Sequence, residues 1–281
     1  MVREHKSTLW AGDFAYLEAP RWHRDRIWVS DVFGKKLYTV QPDGSRTLQC
    51  DVPHRPAGIG FLPDGTVVVV SMQDRKLLRL VEGGTEVYAD LSSVARGDLN
   101  DMVVDERGWI YVGNFGYDSL GGAPKALTDL HVVEPDGTIH LAADGLEFPN
   151  GMVILNEGRT LVVAETWACR LTAFDRDSNG RLSNRRAYAD LGEREPDGIC
   201  ADASNAIWAA CFNTGEFVRV LDGGEITDQV RCSGHAVSCA LGGAAGRTLF
   251  CSAYKGNFEE ILAGKLLGGI FTVEVEIPGL P

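Results

Sequence analysis

Pro149-Asn150-Gly151-Met152-Val153-Ile154 is one of six copies of a short phrase: a residue that often carries a side-chain oxygen, a small residue, then apolar positions. The second-place residues of successive copies are 39, 43, 50, 47 and 40 residues apart. A repeat of roughly 44 residues is typical of four-stranded propeller blades. Six copies occupy most of the chain, which predicts one closed ring. The second-place residues are Glu18, Ala57, Asn100, Asn150, Asp197 and Val237.

Short apolar runs follow each copy of the phrase. After residues 149–154 come the runs 160–164 and 170–174, with polar turns between them. Runs of this length, rich in β-branched and aromatic residues and bounded by Pro-Asp-Gly or Gly-Gly, predict short antiparallel strands. No sustained helical stripe occurs, and residues 258–267 are the best helical candidate. We therefore expect an all-β fold, a six-bladed β-propeller forming a single domain over residues 1–281.

The sixth copy lacks a fourth strand. Its strands are expected near residues 248–252 and 270–276, after which the chain ends. A blade left with an open edge invites association with other chains. Residues 8–14, just before the first copy, can supply the missing strand, so the N-terminal strand is predicted to join the C-terminal blade and close the ring.

Composition restricts the partners and the compartment. The net charge of −12 argues against nucleic acid, because phosphate binding needs clustered Lys and Arg. No run of 18 apolar residues and no basic-then-apolar leader occurs, so neither a membrane span nor a signal peptide is expected. Seven cysteines form no C-x-x-C pair and several lie in apolar runs, which predicts reduced thiols in a cytoplasmic protein. A monomer or small homo-oligomer is expected.

Four of the six second-place residues carry oxygen: Glu18, Asn100, Asn150 and Asp197. In a propeller, equivalent positions at the starts of the innermost strands meet at one end of the central channel. Two carboxylates and two amides, without His or Cys, suit Ca²⁺, Mg²⁺ or Mn²⁺. Pro-Asp-Gly also forms ordinary turns, as expected at residues 63–65. The site candidates differ because they precede apolar strands in repeat register.

Several longer motifs resemble one known family. They are Glu18-Ala19-Pro20-Arg21-Trp22, Asn100-Asp101 with Asp105 and Gly108, Pro149-Asn150-Gly151, residues 175–186, Pro196-Asp197-Gly198-Ile199 with Ala206-Ile207-Trp208, and Leu241-Gly242-Gly243 with Thr248-Leu249-Phe250. Across nearly the whole chain they resemble the family of senescence marker protein 30, gluconolactonase and luciferin-regenerating enzyme. That family is similar in fold to what the repeats predict.

The resemblance implies hydrolysis of a lactone, commonly a sugar lactone, with one divalent metal ion. Glu18, Asn150 and Asp197 would ligate the metal, and Asn100 would be a fourth ligand or a substrate contact. Asp197 would also be the general base. Ca²⁺ is the preferred ion, with Mn²⁺, Zn²⁺, Mg²⁺ and Fe²⁺ as alternatives. The implied partner is a small-molecule lactone.

The chain departs from the family pattern at one position. Family members that act on sugar lactones often carry Arg two residues before the Asn-Asp pair, where this chain has Asp98, with Arg96 two residues earlier. This departure puts gluconolactone in question as the natural substrate. The same repeat carries a Gly-rich insertion at residues 115–129, which we expect to form a lid over the metal, with Tyr117 as a candidate substrate contact.

Other features leave alternatives open. Residues 175–180 resemble half of a calcium loop, but Arg186 stands where a Glu ligand is needed, so a hairpin turn is expected. Glu165-Thr166 could face the channel mouth or end a surface strand, and His235 could border the mouth. A phosphoester, phosphofluoridate or other ester hydrolase on the same metal site, and a non-catalytic calcium- or ligand-binding propeller, are the alternative functions.

Overall fold

The computed structural model describes residues 2–280 and consists almost entirely of β-strands. The strands form six sheets, which confirms the predicted six-bladed β-propeller. The chain starts with β1 (Arg3–His5) and β2 (Thr8–Phe14). Blade 1 contains β3 (Leu17–His23), β4 (Arg26–Asp31), β5 (Lys36–Val40) and β6 (Arg46–Asp51). Blade 2 contains β7 (Pro56–Phe61), β8 (Val67–Ser71), β9 (Lys76–Val81) and β10 (Gly84–Asp90).

The remaining blades repeat this order. Blade 3 contains β11 (Leu99–Val104), β12 (Ile110–Asn114), β13 (Thr128–Val133) and β14 (Ile139–Leu146). Blade 4 contains β15 (Pro149–Leu155), β16 (Thr160–Glu165), β17 (Arg170–Arg176) and β18 (Leu182–Asp190). Blade 5 contains β19 (Pro196–Ala201), β20 (Ile207–Cys211), β21 (Glu216–Val220) and β22 (Ile226–Arg231). Blade 6 contains β23 (His235–Gly242), β24 (Thr248–Tyr254), the helix α1 (Phe258–Leu262) and β25 (Gly268–Glu274).

Burial decreases outward through each blade. The phrase noted in the sequence forms the innermost strand in all six blades. The second strands are continuous apolar runs, and all five residues of β8 are buried, because they are covered on both faces. The outermost strands are polar; in β6, five of the six residues are exposed and only Cys50 is buried. The innermost strands therefore surround the central channel, and the outermost strands face solvent.

The hydrophobic core lies between neighbouring blades. One cluster joins Leu37 of blade 1 to Ile59 and Val69 of blade 2. Another joins Tyr111 of blade 3 to Phe174 of blade 4. Each blade therefore buries apolar side chains on both faces, and removing one blade would expose the cores of two neighbours. All seven cysteines are free in the structure.

The ring closes through the N-terminus. Strand β2 pairs antiparallel with β25, with Thr8 opposite Thr272 and Ala11 opposite Ile270, which confirms the predicted closure. Strand β1 adds something that the sequence analysis did not predict. It pairs in parallel with β22 and gives blade 5 a fifth strand, with Arg3 opposite Asp228. The N-terminal segment thus ties two blades together.

The predicted turns and the short helix are present. In three Pro-Asp-Gly turns the Asp Oδ1 accepts a hydrogen bond from the backbone N–H two residues later, at 2.8–2.9 Å, starting at Asp43, Asp64 and Asp136. Helix α1 begins with a capping box between Asn257 and Glu260 and buries Ile261. Within residues 2–280 there is no helix with the length and apolarity needed to cross a membrane.

The inner strands of blades 4 and 5 approach so closely that the third residue of β15, Gly151, must be small. A Cβ at Gly151 would lie 2.5 Å from the backbone N of Ile199 and 2.7 Å from the carbonyl O of Asp197. Backbone atoms in a sheet cannot move aside as a flexible side chain can. The residue after Asn150 therefore fixes how closely blades 4 and 5 approach at the channel.

Gly151→Ala is expected to lower the free energy of unfolding by about 1–3 kcal/mol, because the added methyl overpacks two inner strands. Chemical denaturation measures the change. Gly84→Ala is the matched control, since a Cβ there meets no heavy atom within 4 Å and the backbone has no positive φ. Equal midpoints for the two variants would contradict this packing argument.

Candidate active site

Four oxygen-bearing side chains lie at one end of the channel. Glu18, Asn100, Asn150 and Asp197 each occupy the second residue of their inner strand, in β3, β11, β15 and β19. All four line one cavity of about 180 Å³. Asn100, Asn150 and Asp197 are at most 7% exposed. Residues up to 179 positions apart in sequence thus meet, because equivalent positions of different repeats lie side by side around the channel.

Hydrogen bonds hold the two amides in one orientation. Asn100 Nδ2 donates to the carbonyl O of Pro149 at 3.1 Å. Asn150 Nδ2 donates to Thr166 Oγ1 at 3.3 Å, and that hydroxyl donates to the carbonyl O of Pro196 at 2.8 Å. Each amide nitrogen is therefore engaged by a protein oxygen. The amide oxygens accept no protein hydrogen bond within residues 2–280 and are available to a ligand.

The two carboxylates lack a compensating positive charge. Burial raises the pKa of Glu18 to about 8, with a further contribution from Asp101. Burial also raises the pKa of Asp197 well above its usual range, and the charges of Glu18 and Asp101 add to this effect. Arg21 is engaged with Asp101 at 2.7 Å. In the described part of the chain, no Lys, Arg or His forms an ion pair with Glu18 or Asp197.

This donor set fits a hard divalent cation. Two carboxylates would balance its charge, and amide oxygens are ligands that Ca²⁺ and Mg²⁺ accept. Residues 2–280 contain no cluster of three or more His, Cys, Asp or Glu side chains suited to a metal. The candidate set therefore depends on its amides as much as on its carboxylates, in keeping with oxygen-preferring ions rather than thiolate-preferring ones.

The walls of the cavity are mainly apolar and come from all six blades. They include Tyr16, Val32, Phe33, Met72, Phe115, Leu120, Phe148, Trp167, Phe212, Phe258 and Ile261. Phe148 stacks on Phe115 with ring centroids 4.4 Å apart and contacts Trp167 at 4.9 Å. Two charged residues, Arg55 and Glu195, also line the cavity.

The sequence analysis did not single out most of these wall residues, although repeat register could have found them. Tyr16, Arg55, Phe148 and Glu195 each stand directly before a copy of the phrase. A second series directly follows the second strand of its blade: Val32, Met72, Phe115, Thr166 and Phe212. The innermost strand of each blade starts at the end of the blade where Asp197 lies, and the second strand, which is antiparallel to it, ends there. Both series therefore lie at that end.

The insertion at residues 115–129 contributes to the cavity. Phe115, Ser119 and Leu120 line it. The Tyr117 hydroxyl instead accepts a hydrogen bond from Trp167 Nε1 at 2.8 Å, and Lys125 Nζ lies 3.6 Å from the Trp167 ring centroid. The loop thus holds a wall residue of blade 4. A direct contact of Tyr117 with substrate, and a lid function for the loop, stay predictions.

Two sequence alternatives are resolved by position. The Glu165 carboxylate is fully buried and is held by Arg170, Arg185 and Thr172, so it supports blade 4 and does not face the mouth. Its neighbour Thr166 does line the cavity. His235 stacks on Phe212 with ring centroids 4.2 Å apart and supports that wall residue. Residues 177–181 form the expected hairpin turn.

Comparison with known proteins agrees with this arrangement. The family model described as "SMP-30/Gluconolactonase/LRE-like region" matches residues 17–255, a span that includes all four oxygen-bearing residues. The chain belongs to this family. Its resemblance to the family, first seen in the motifs around Glu18 and Asp197, is confirmed.

Individual relatives are distant but cover nearly the whole chain. Regucalcin from Danio rerio is 28% identical over 262 residues, covering 88% of this chain and 85% of the relative. Pentonolactonase XacC from Haloferax volcanii is 26% identical over 278 residues, covering 94% and 92%. A crystal structure described as a calcium-binding protein, regucalcin, from Agrobacterium tumefaciens superposes with a TM-score of 0.84 at 18% identity, covering 100% and 98%. That structural likeness supports the fold.

Proposed function

We propose that this family member is a metal-dependent lactone hydrolase. The carrying observation is a pair of carboxylates, the half-buried Glu18 and the buried Asp197, in one cavity with two oriented amides and no ion-pairing Lys, Arg or His among the described residues. Glu18, Asn150 and Asp197 would hold a divalent ion, with Asn100 as a fourth ligand or a substrate contact. A relative named pentonolactonase supports the reaction class, and relatives named regucalcin support Ca²⁺ as the ion.

The protein groups divide the work of the reaction. When bound, the cation supplies Lewis acidity toward the ester carbonyl and lowers the pKa of the attacking water. Asp197 accepts the proton of that water on a carboxylate oxygen as the new C–O bond forms. The ring C–O bond then breaks, and the same carboxyl returns the proton to the leaving alkoxide. The product is an open-chain hydroxy acid.

The surroundings of Asp197 suit a proton acceptor. Its burial strengthens electrostatic interactions inside the cavity, whose walls are mainly apolar. Asn150 is held by Thr166, so the amide beside Asp197 cannot rotate freely. Asn100 is held in the same way from the Pro149 carbonyl. The scaffold therefore places donors and acceptor before substrate arrives, which is the condition for efficient positioning.

Chelator-stripped protein is expected to lose at least about 100-fold of its lactone turnover and to recover it when Ca²⁺ or Mn²⁺ is added back. A panel of sugar, aliphatic and aryl-substituted lactones, with phosphotriester and aryl ester controls, measures both the reaction class and the metal dependence. Thermal melting in parallel should show Ca²⁺ raising the melting temperature of the wild type but much less that of Glu18→Gln.

The controls separate the alternatives. A metal-dependent rise in melting temperature without turnover of any compound would favour a binding propeller. Metal-restored turnover confined to phosphotriesters would move the assignment to phosphoester chemistry. Turnover of lactones that survives exhaustive chelation would contradict a metal-holding role for Glu18 and Asp197.

A further inference from the structure

The walls of the cavity offer few partners for a polyhydroxylated substrate. Apart from the four oxygen-bearing residues, the lining polar groups are those of Tyr16, Arg55, Ser119, Thr166, Glu195 and Trp167, whose indole N–H already donates to Tyr117. Thr166 is already bonded to Asn150 and to the Pro196 carbonyl. A sugar lactone that buried its hydroxyls against Phe33, Phe148 and Phe212 would leave them without partners, which is costly. The lining instead matches an apolar or aromatic body.

Arg55 is the single positively charged residue among the cavity-lining side chains of the described chain. Its guanidinium carbon lies 4.6 Å from the Phe33 ring centroid, an arrangement that holds the planar group against an aromatic wall. Its Nε is buried and has no hydrogen-bond partner within residues 2–280. The two terminal guanidinium nitrogens are not buried and form no hydrogen bond or ion pair among residues 2–280, so they are the Arg55 donors that a ligand in the cavity can reach.

The backbone around Arg55 is firmly placed. Its N–H donates to the Val52 carbonyl at 3.1 Å, and its carbonyl accepts from Met72 N–H at 2.9 Å. The residue has φ of +67°, so the turn into β7 is a specific local conformation. The side chain is therefore presented from a rigid position at the mouth rather than from a mobile loop.

Arg55 and Asp98 occupy equivalent places in neighbouring blades, each directly before a copy of the phrase. Asp98 stands where the resembling family often carries Arg. The Arg55 charge counteracts part of the rise in pKa that burial causes at Asp98, so the two side chains influence each other. No ion pair joins them among the described residues. This chain thus carries its positive charge at the position before the blade 2 copy, Arg55, and a negative charge at the equivalent position before the blade 3 copy, Asp98. No carboxylate among the described residues forms an ion pair with Arg55.

We propose that the substrate is a lactone with an apolar, preferably aromatic, body and a carboxylate that binds Arg55. This proposal rests on the lactone hydrolase function proposed above and specifies its substrate class. The reacting carbonyl would lie over Glu18 and Asp197, the body against Phe148 and Trp167, and the carboxylate at the guanidinium. Glu195, on the opposite blade 5, would repel an anionic group placed the other way round and so favours one orientation.

Three lactones test the proposal: γ-phenyl-γ-butyrolactone, its 4-carboxyphenyl derivative and D-glucono-1,5-lactone. Wild-type protein with Ca²⁺ is expected to give the highest kcat/KM for the carboxyphenyl compound. We define the preference as kcat/KM for the carboxyphenyl compound divided by kcat/KM for the phenyl compound. Arg55→Met should reduce this ratio by about 30-fold, since a charged hydrogen bond is lost. Arg55→Lys should give an intermediate ratio, because it keeps the charge without the planar fork. Arg159→Met, at an exposed turn between β15 and β16, is the matched control.

Binding of the two matching γ-lactams, measured by calorimetry, distinguishes failure of the substrate class from failure of the reaction. If the protein hydrolyses lactones but prefers gluconolactone, or if Arg55→Met leaves the kcat/KM ratio of the carboxyphenyl to the phenyl lactone unchanged, the proposed substrate class is wrong. The proposed lactone hydrolase function would then still stand. Absence of lactone turnover together with Arg55-dependent binding of the carboxyphenyl lactam would support the ligand class and overturn the hydrolase. Absence of both turnover and lactam binding would overturn both proposals.

Discussion

Asp197→Asn is expected to lower kcat/KM for the best lactone by about 10³-fold or more while the protein folds normally. The substitution keeps the size of the side chain and one oxygen donor, but removes the proton acceptor and one of two negative charges. Burial already raises the pKa of Asp197, so an ionised carboxylate there is costly without a cation. The metal-free variant should therefore melt no lower than the metal-free wild type.

The comparison needs a carboxylate outside the site. Asp222→Asn serves, because Asp222 is exposed and pairs with Arg186 on the surface at 2.7 Å. Exposed ion pairs contribute little to stability, so this variant should match the wild type in both activity and melting temperature. Steady-state kinetics at saturating Ca²⁺, combined with calorimetric titration of Ca²⁺, separates loss of proton transfer from loss of metal. An Asp197→Asn enzyme that keeps a tenth of wild-type kcat/KM would remove Asp197 from the chemical step.

The ring and its four oxygen donors could be predicted because a propeller converts sequence period into geometry. Glu18 and Asp197 are 179 positions apart, yet both are second in their copies of the phrase, and that register alone predicts that they meet. The closing strand could be predicted by counting, since blade 6 was one strand short. These inferences needed only the repeat and the number of strands in each blade.

Features that break the repeat could not be obtained in this way. The parallel pairing of β1 with β22 has no counterpart in another blade. A strand of three residues is too short for its sequence pattern to predict which strand it pairs with. Arg55 was different: its register was visible, but its importance depends on its place in the cavity wall and its contact with the Phe33 ring, which only the packed structure shows. The proposed substrate class therefore rests on the cavity-wall residues, which the structure reveals, whereas the proposed reaction class rests on the repeat positions, which the sequence already shows.

Deletion of residues 2–12 is expected to lower the melting temperature by about 10 °C or more, because it removes the strand that closes the ring. The deletion takes away the pairing of Thr8, Leu9 and Ala11 with β25. It also removes Trp10, whose ring contacts Phe250 with centroids 5.1 Å apart and whose Nε1 donates to the Pro42 carbonyl. Loss of this partly buried aromatic contact adds to the cost, and the uncovered edge of β25 then invites aggregation.

Deletion of residues 2–7 is the matched control for ring closure. It removes β1, with the His5–Asp228 contact at 2.8 Å and the exposed Arg3–Glu276 pair, but leaves β2 in place. Blade 5 keeps its own four strands, and Asp228 keeps Arg219 Nη1 at 3.9 Å, so a smaller decrease in melting temperature than for the longer deletion is expected. Calorimetry with light scattering on both proteins measures stability and association together. If the two deletions melted at the same temperature, the stability of the ring would reside in the inter-blade cores around residues such as Leu37 and Tyr111, and the closing strand would contribute little.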